Sequence, residues 1–89
     1  MTDTVVVELR REISAVDREL LGAVNRRIEI VQRLHGHKQQ AGMPLRDPER
    51  EVELVRELQD ENPGPLSDEG VASLFHFVLG LTRNELYDE

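Results

Sequence analysis

Apolar and polar positions alternate along this chain with a period near 3.6, the period of a helix whose one face is buried. The first such pattern runs from about Val5 to Ala41 and contains no proline. Gly36 and Gly42 weaken its end, and Pro44 stops it. About 37 helical residues at ~1.5 Å each predict a rod of roughly 55 Å. A second pattern begins at Asp47-Pro48, a favourable N-cap followed by a proline suited to the first helical position. It carries Val52, Leu54, Val55 and Leu58 and ends near residue 60, before the turn cluster Asn62-Pro63-Gly64-Pro65. Ser67 then caps a third helix over about 68–87, with Asp68 and Glu69 placed well for the helix dipole. Its core-facing positions are Val71, Leu74, Phe75, Val78, Leu81 or Thr82, and Leu86. No strand pattern or repeat interrupts this order. The predicted fold is all-α, a single domain over 1–89 built from a long, a short and a medium helix.

The long helix carries an anomaly on its core stripe. Arg10, Ile13, Asp17, Leu20, Val24, Arg27, Val31, Leu34 and Lys38 fall within roughly 120° of one another at 100° per residue. Five of these nine are aliphatic, yet three are cations. Burying an unpaired cation is costly, so a stripe that does so repeatedly is a candidate anion site. The competing account is that long cationic side chains snorkel out of an apolar face or join structural ion pairs. Arg27 and Lys38 are eleven residues apart, about 16 Å along a helix, and their side chains can grip opposite ends of one small dianion. Arg10 lies about 25 Å from Arg27 and cannot reach that point from the same straight helix. A twofold dimer pairing the long helices antiparallel would bring Arg10 of one copy opposite the Arg27–Lys38 region of the other. Two short helices cannot cover so long a rod, which also favours a second copy.

The second helix repeats the pattern. Glu51 leads the stripe Glu51, Leu54, Val55 and Leu58, with Asp47 one turn earlier and Arg50 beside it. An N-cap, a dipole-stabilising carboxylate and a solvated charge run from Glu49 to Glu53 account for the same residues without any ligand. On the third helix Thr82 interrupts an apolar stripe, where its hydroxyl can bond the preceding turn.

Composition narrows the chemistry. A net charge of -7 and three aromatic residues, Phe75, Phe77 and Tyr87, disfavour nucleic acid as a partner. There is no cysteine, which removes disulfides, thiolate metal sites and cysteine nucleophiles. His35, His37 and His76 have no partners at metal-ligand spacing, so no metal and no cofactor are expected. The N-terminus has no basic region and too short an apolar run for a signal peptide, and no stretch approaches the ~20 apolar residues of a membrane span. A cytoplasmic location is expected by default. No P-loop, Gly-rich dinucleotide turn or Ser-His-Asp order is present. The sequence offers anion-binding groups without a nucleophile.

Several segments together resemble the all-helical chorismate mutase family. Leu9-Arg10-Arg11-Glu12-Ile13-Ser14-Ala15-Val16-Asp17 resembles its opening "LR..I..LD", and Arg26-Arg27 followed by Lys38 resembles its "R…K" pair. Pro44-Leu45-Arg46-Asp47-Pro48-Glu49-Arg50-Glu51 is similar to its "P..D..RE" segment, and Leu74-Phe75 to its third-helix "LF". The resemblance covers about Leu9 to Thr82. It implies an intertwined helical homodimer that rearranges chorismate to prephenate in aromatic amino acid biosynthesis, with each site borrowing an arginine from the partner chain. By motif position, Arg10 from the partner, Arg27 and Arg50 resemble carboxylate-binding arginines. Lys38 resembles the lysine on one carboxylate and the ether oxygen. Glu51 resembles the acceptor for the ring hydroxyl, helped by Asp47, and Thr82 stands where the family usually has serine. Four residues later the family usually has a glutamine or glutamate that bonds the ether oxygen; here that position is Leu86. Glu85 is adjacent, but a one-residue shift turns a side chain by about 100°. A glutamate serving there must be protonated to donate. Relatives of this fold also act on 4-amino-4-deoxychorismate or eliminate pyruvate from isochorismate. Others with unusual C-termini gain activity by complexing another shikimate-pathway enzyme, a further candidate partner. A non-catalytic helical dimerisation or regulatory module is the remaining alternative.

Overall fold

The computed structural model describes residues 3–87; the outermost two residues at each end of the predicted domain lie outside the described residues. Three helices follow in the predicted order: α1 (Thr4–Ala41), α2 (Pro48–Glu61) and α3 (Asp68–Tyr87). By its contacts the chain divides into two units, the first ending at Val31 and the second beginning at Gln32.

The first unit is helical throughout its described residues from Thr4 onward. Its start is set by Asp3, which the hydrophobic pattern does not single out. The Asp3 carboxylate accepts from the Val5 and Val6 N–H groups at 2.9 and 3.3 Å, satisfying donors that have no partner within the helix. Apolar side chains on this stretch have no core of their own. No residue of α1 is buried, and Leu9, Ile13, Val16, Leu20 and Leu21 each leave more than half of their surface exposed.

The second unit holds the end of α1 together with α2 and α3. The helix runs through Gly36 and ends at Ala41, the expected boundary, with Gly42 rather than Pro44 making the stop. Gly42 has φ +68°, its N–H bonds to the Gln39 carbonyl, and the Met43 N–H bonds to the Lys38 carbonyl at 2.8 Å. That is a Schellman cap, which needs a residue at ease in the left-handed region. Asp47 caps α2 by accepting from the Arg50 N–H at 3.1 Å, with Pro48 at the first position. Asn62 organises the turn that follows: its side chain donates to the Leu66 carbonyl at 2.7 Å and accepts from the N–H of Gly64, whose φ is +82°. Ser67 caps α3 by accepting from the Gly70 N–H at 3.0 Å, and Gln59 donates to the Asp68 carbonyl, tying the end of α2 to the start of α3.

The core of this unit is narrow: Val55 from α2, and Val71, Val78 and Thr82 from α3. Steps of seven and four put the three α3 residues on one line. The expected stripe is wider. Leu74 lies about 60° off that line and stays 40% exposed, and Val52 is 56% exposed on the outer side of α2. Phe75, Leu81 and Leu86 are half-buried at the margins. Among the described residues no helix is long and apolar enough to cross a membrane.

His35 lies on the last turns of α1, where burial and then the neighbouring Lys38 ammonium hold its imidazole below the ordinary pKa of 6.5. Between the two pKa values the unfolded chain binds more protons than the folded one. Stability is therefore complete above about pH 6.5, falls as pH drops through that value, and levels off below the folded pKa. Urea denaturation at neutral and mildly acidic pH should show His35→Gln losing less stability on acidification than the wild type. At the cap, Gly42→Ala forces a Cβ into the left-handed region and should lower unfolding stability by about 1 kcal/mol, read from the denaturation midpoint.

Candidate functional site

The residues expected to carry chemistry fall in both units. In the first, Arg10 is exposed on α1 beside Arg11, Ser14 and Arg18, which with Val7 line an open, cationic patch. Arg11 is paired with Glu8 at 2.7 Å. Arg27 is half-buried on the same helix.

The second unit holds the others, and of these Lys38 and Asp47 line one hollow. Capping at Gly42 fixes the final turn of α1, so Lys38 sits where the chain leaves the helix. Its half-buried ammonium donates to the Leu45 carbonyl at 3.4 Å, a long bond that leaves hydrogens for another acceptor. Lys38 lines one hollow with Met43, Pro44, Arg46, Asp47, Pro48 and Glu49. Asp47 thus borders this hollow while capping α2, so the structural account of this carboxylate holds beside any ligand role.

Glu51, one turn into α2, is half-buried and flanked by two guanidinium groups. Arg83 Nη1 donates to its Oε1 at 3.2 Å across 32 residues of sequence, and Arg46 Nη2 lies 3.7 Å from its Oε2. Neither arginine is among the residues that the sequence marks as candidates. Arg46 falls inside the "P..D..RE" segment, but its neighbours are the ones the motif singles out. Arg83 carries no local signal, because its partner is on another helix. Arg50 points along its own helix, with Nη1 2.9 Å from Glu53 and 3.3 Å from Glu57, both exposed and exchangeable.

On α3, Thr82 is 7% exposed and its hydroxyl donates to the Val78 carbonyl at 2.8 Å, the back-bond to the preceding turn that an interior threonine favours. Glu85 is exposed. Leu86 is half-buried and lines a second hollow, of about 230 Å³, with Gln32, His35, Gly36, Gln39 and Leu45. Leu45 is common to this hollow and the Lys38 hydrogen bond. Among the described residues no cluster of three potential metal ligands occurs.

Comparison with known proteins gives this geometry a context. The family model for chorismate mutase type II matches residues 9–86. The bifunctional chorismate mutase/prephenate dehydratase of Neisseria gonorrhoeae is 39% identical over 77 residues, covering 86% of this chain and 21% of that protein. The T-protein of Haemophilus influenzae is 38% identical over 63 residues, covering 68% and 17%. The chain therefore spans about a fifth of the length of these curated relatives. Among solved structures, form II of chorismate mutase from Thermus thermophilus aligns with a TM-score of 0.86 at 34% identity, covering 94% of this chain and 98% of that one. Form I of the same enzyme aligns at 0.84 and 35% identity, covering 86% and 96%. Helix order, motif spacing and these alignments agree: the chain belongs to the chorismate mutase type II family.

Proposed function

We propose that this chain catalyses the rearrangement of chorismate to prephenate. The observation that carries the reading is Lys38, a half-buried ammonium held by a replaceable bond to the Leu45 carbonyl, in a chain of this family. The reaction is a unimolecular [3,3] shift: the ether C–O bond breaks, a C–C bond forms, and nothing is added or lost. It requires no nucleophile. What a protein contributes is the chair-like reactive conformer, held by both carboxylates, and positive charge where the ether oxygen gains electrons.

Within this reading Lys38 contacts one carboxylate and the ether oxygen. Arg27, Arg50 and Arg10 of a second copy bind carboxylates, Arg50 by exchanging Glu53 and Glu57 for substrate. Glu51, with Asp47, accepts from the ring hydroxyl, and Thr82 bounds the site through its buried turn. The homodimer is supported by the first unit, whose apolar stripe is uncovered in a single chain.

Leu86 supports a second, related reading. An aliphatic side chain cannot donate to the ether oxygen, and exposed Glu85 stands one position away. The chain is then a weak catalyst alone and a candidate for activation by another enzyme of the shikimate pathway.

Purified protein should consume chorismate and release prephenate, and Lys38→Ala or Arg27→Ala should cut kcat/KM by about 10²–10³. Undiminished turnover in Lys38→Ala would remove the proposed site. Leu86→Gln should raise kcat by about tenfold or more if the absent donor limits the rate. Sedimentation should give the mass of two chains, with a Tm that rises with protein concentration; a strict monomer would refute the borrowed Arg10.

A further inference from the structure

The surroundings of Glu51 bear on which ring substituent the site takes. Both carboxylate oxygens face a guanidinium: Oε1 receives a hydrogen bond from Arg83 at 3.2 Å, and Oε2 has Arg46 at 3.7 Å. Arg83 is the closer partner and the less exposed, at 37% against 55% for Arg46. Arg83 reaches Glu51 from α3, so the pair spans two helices. A carboxylate has about four acceptor positions, and two guanidinium contacts leave some of them open. Hydrogen-bond capacity therefore remains at Glu51, while its charge is already offset. A neutral hydroxyl uses the remaining capacity without adding charge. An amine, cationic at neutral pH, would bring a third positive group to a carboxylate that already faces two.

We propose that Arg83, together with Arg46 on the other carboxylate oxygen, makes Glu51 an acceptor selective for a neutral hydroxyl, so that the site takes chorismate in preference to 4-amino-4-deoxychorismate. The inference rests on the reading that Glu51 receives the substrate's ring substituent. It assigns Arg83 as a positioning and specificity residue that acts through Glu51. Arg50 has no ion pair with Glu51, its guanidinium being turned to Glu53 and Glu57 until substrate takes their place, and Asp47 accepts from the Arg50 N–H as the α2 cap.

The test measures kcat/KM and binding affinity for both compounds, on wild type, Arg83→Met and Arg83→Lys. Wild type should favour chorismate. Arg83→Met should narrow that preference by about tenfold, the size expected of a charge interaction between partly exposed groups. Arg83→Lys keeps the charge and should stay within about threefold of the wild-type ratio. Equal losses on both compounds in Arg83→Met would overturn the proposal, leaving Arg83 a structural tie between helices, and so would a wild-type preference for the amine. If circular dichroism shows Arg83→Met unfolded, Arg46→Met must shift the ratio in the same direction, and an unchanged ratio there overturns the proposal. Turnover of chorismate with an unmoved ratio defeats this inference alone. Wild type that neither binds nor converts either compound defeats the proposed function and this inference together.

Discussion

A helix of 38 residues without one buried side chain is the constraint on which the rest of this molecule depends. Helix propensity alone leaves isolated helices marginal in water; most helical stability in proteins comes from packing an apolar face. Here that face is present in the sequence and uncovered in the single chain. Ile13, Val16 and Leu20 expose 59, 59 and 53% of their surface, values suited to a surface awaiting a partner rather than to a finished core. The same stripe carries Arg10 and Arg27, so whatever covers the apolar residues also determines what the arginines meet. On the proposed reading, one association event supplies both stability and the missing cation.

The second unit meets the opposite constraint, with little apolar surface to hold α2 and α3 in place. Among the described residues, three valines and a threonine form its buried set, too few for a core that would fix helix geometry by packing alone. Polar caps do much of the positioning instead. Asp47, Asn62 and Ser67 each satisfy backbone groups at a helix end or in the intervening turn, and Gly42 ends α1 by its backbone conformation. The functional candidates hang from these caps. Lys38 is four residues before Gly42, and Glu51 lies one turn after Asp47. The Glu51–Arg83 pair then joins α2 to α3 at the edge of the valine core, a structural tie that carries a chemical duty as well on the proposed reading.

Periodicity and turn chemistry make the three helices and their order legible, because both are local. Asp47 and Ser67 are readable as caps for the same reason. The end of α1 is also legible, but its cause is not: proline is the stronger breaker in sequence, which points to Pro44, while Gly42 acts only through its φ. Leu74 is expected in the core because a helical stripe read from sequence is about 120° wide, whereas the α2–α3 contact uses only its central line. Arg83 is invisible because an ion pair across 32 residues has no sequence period. The family motifs mark Glu51 as chemically interesting, and only the fold discloses what surrounds it.

Charge decides how such a site can work in so acidic a chain. With a net charge of -7 the protein repels a dianion at long range, although salt limits that field to about 8–10 Å. The hollow beside Lys38 does not reverse it: Lys38 and Arg46 stand against Asp47 and Glu49, which leaves the lining balanced. Arg46 and Arg83 are likewise engaged with Glu51. On the proposed reading, further positive charge for two carboxylates comes from arginines outside that hollow, namely Arg27, Arg50 once it exchanges Glu53 and Glu57 for substrate, and a second copy's Arg10. A balanced lining has its own use, since it avoids holding several uncompensated cations half-buried when no substrate is bound. If a second copy supplies Arg10, as proposed, positive charge is added only where two copies meet, and anion binding and assembly then depend on the same face of α1.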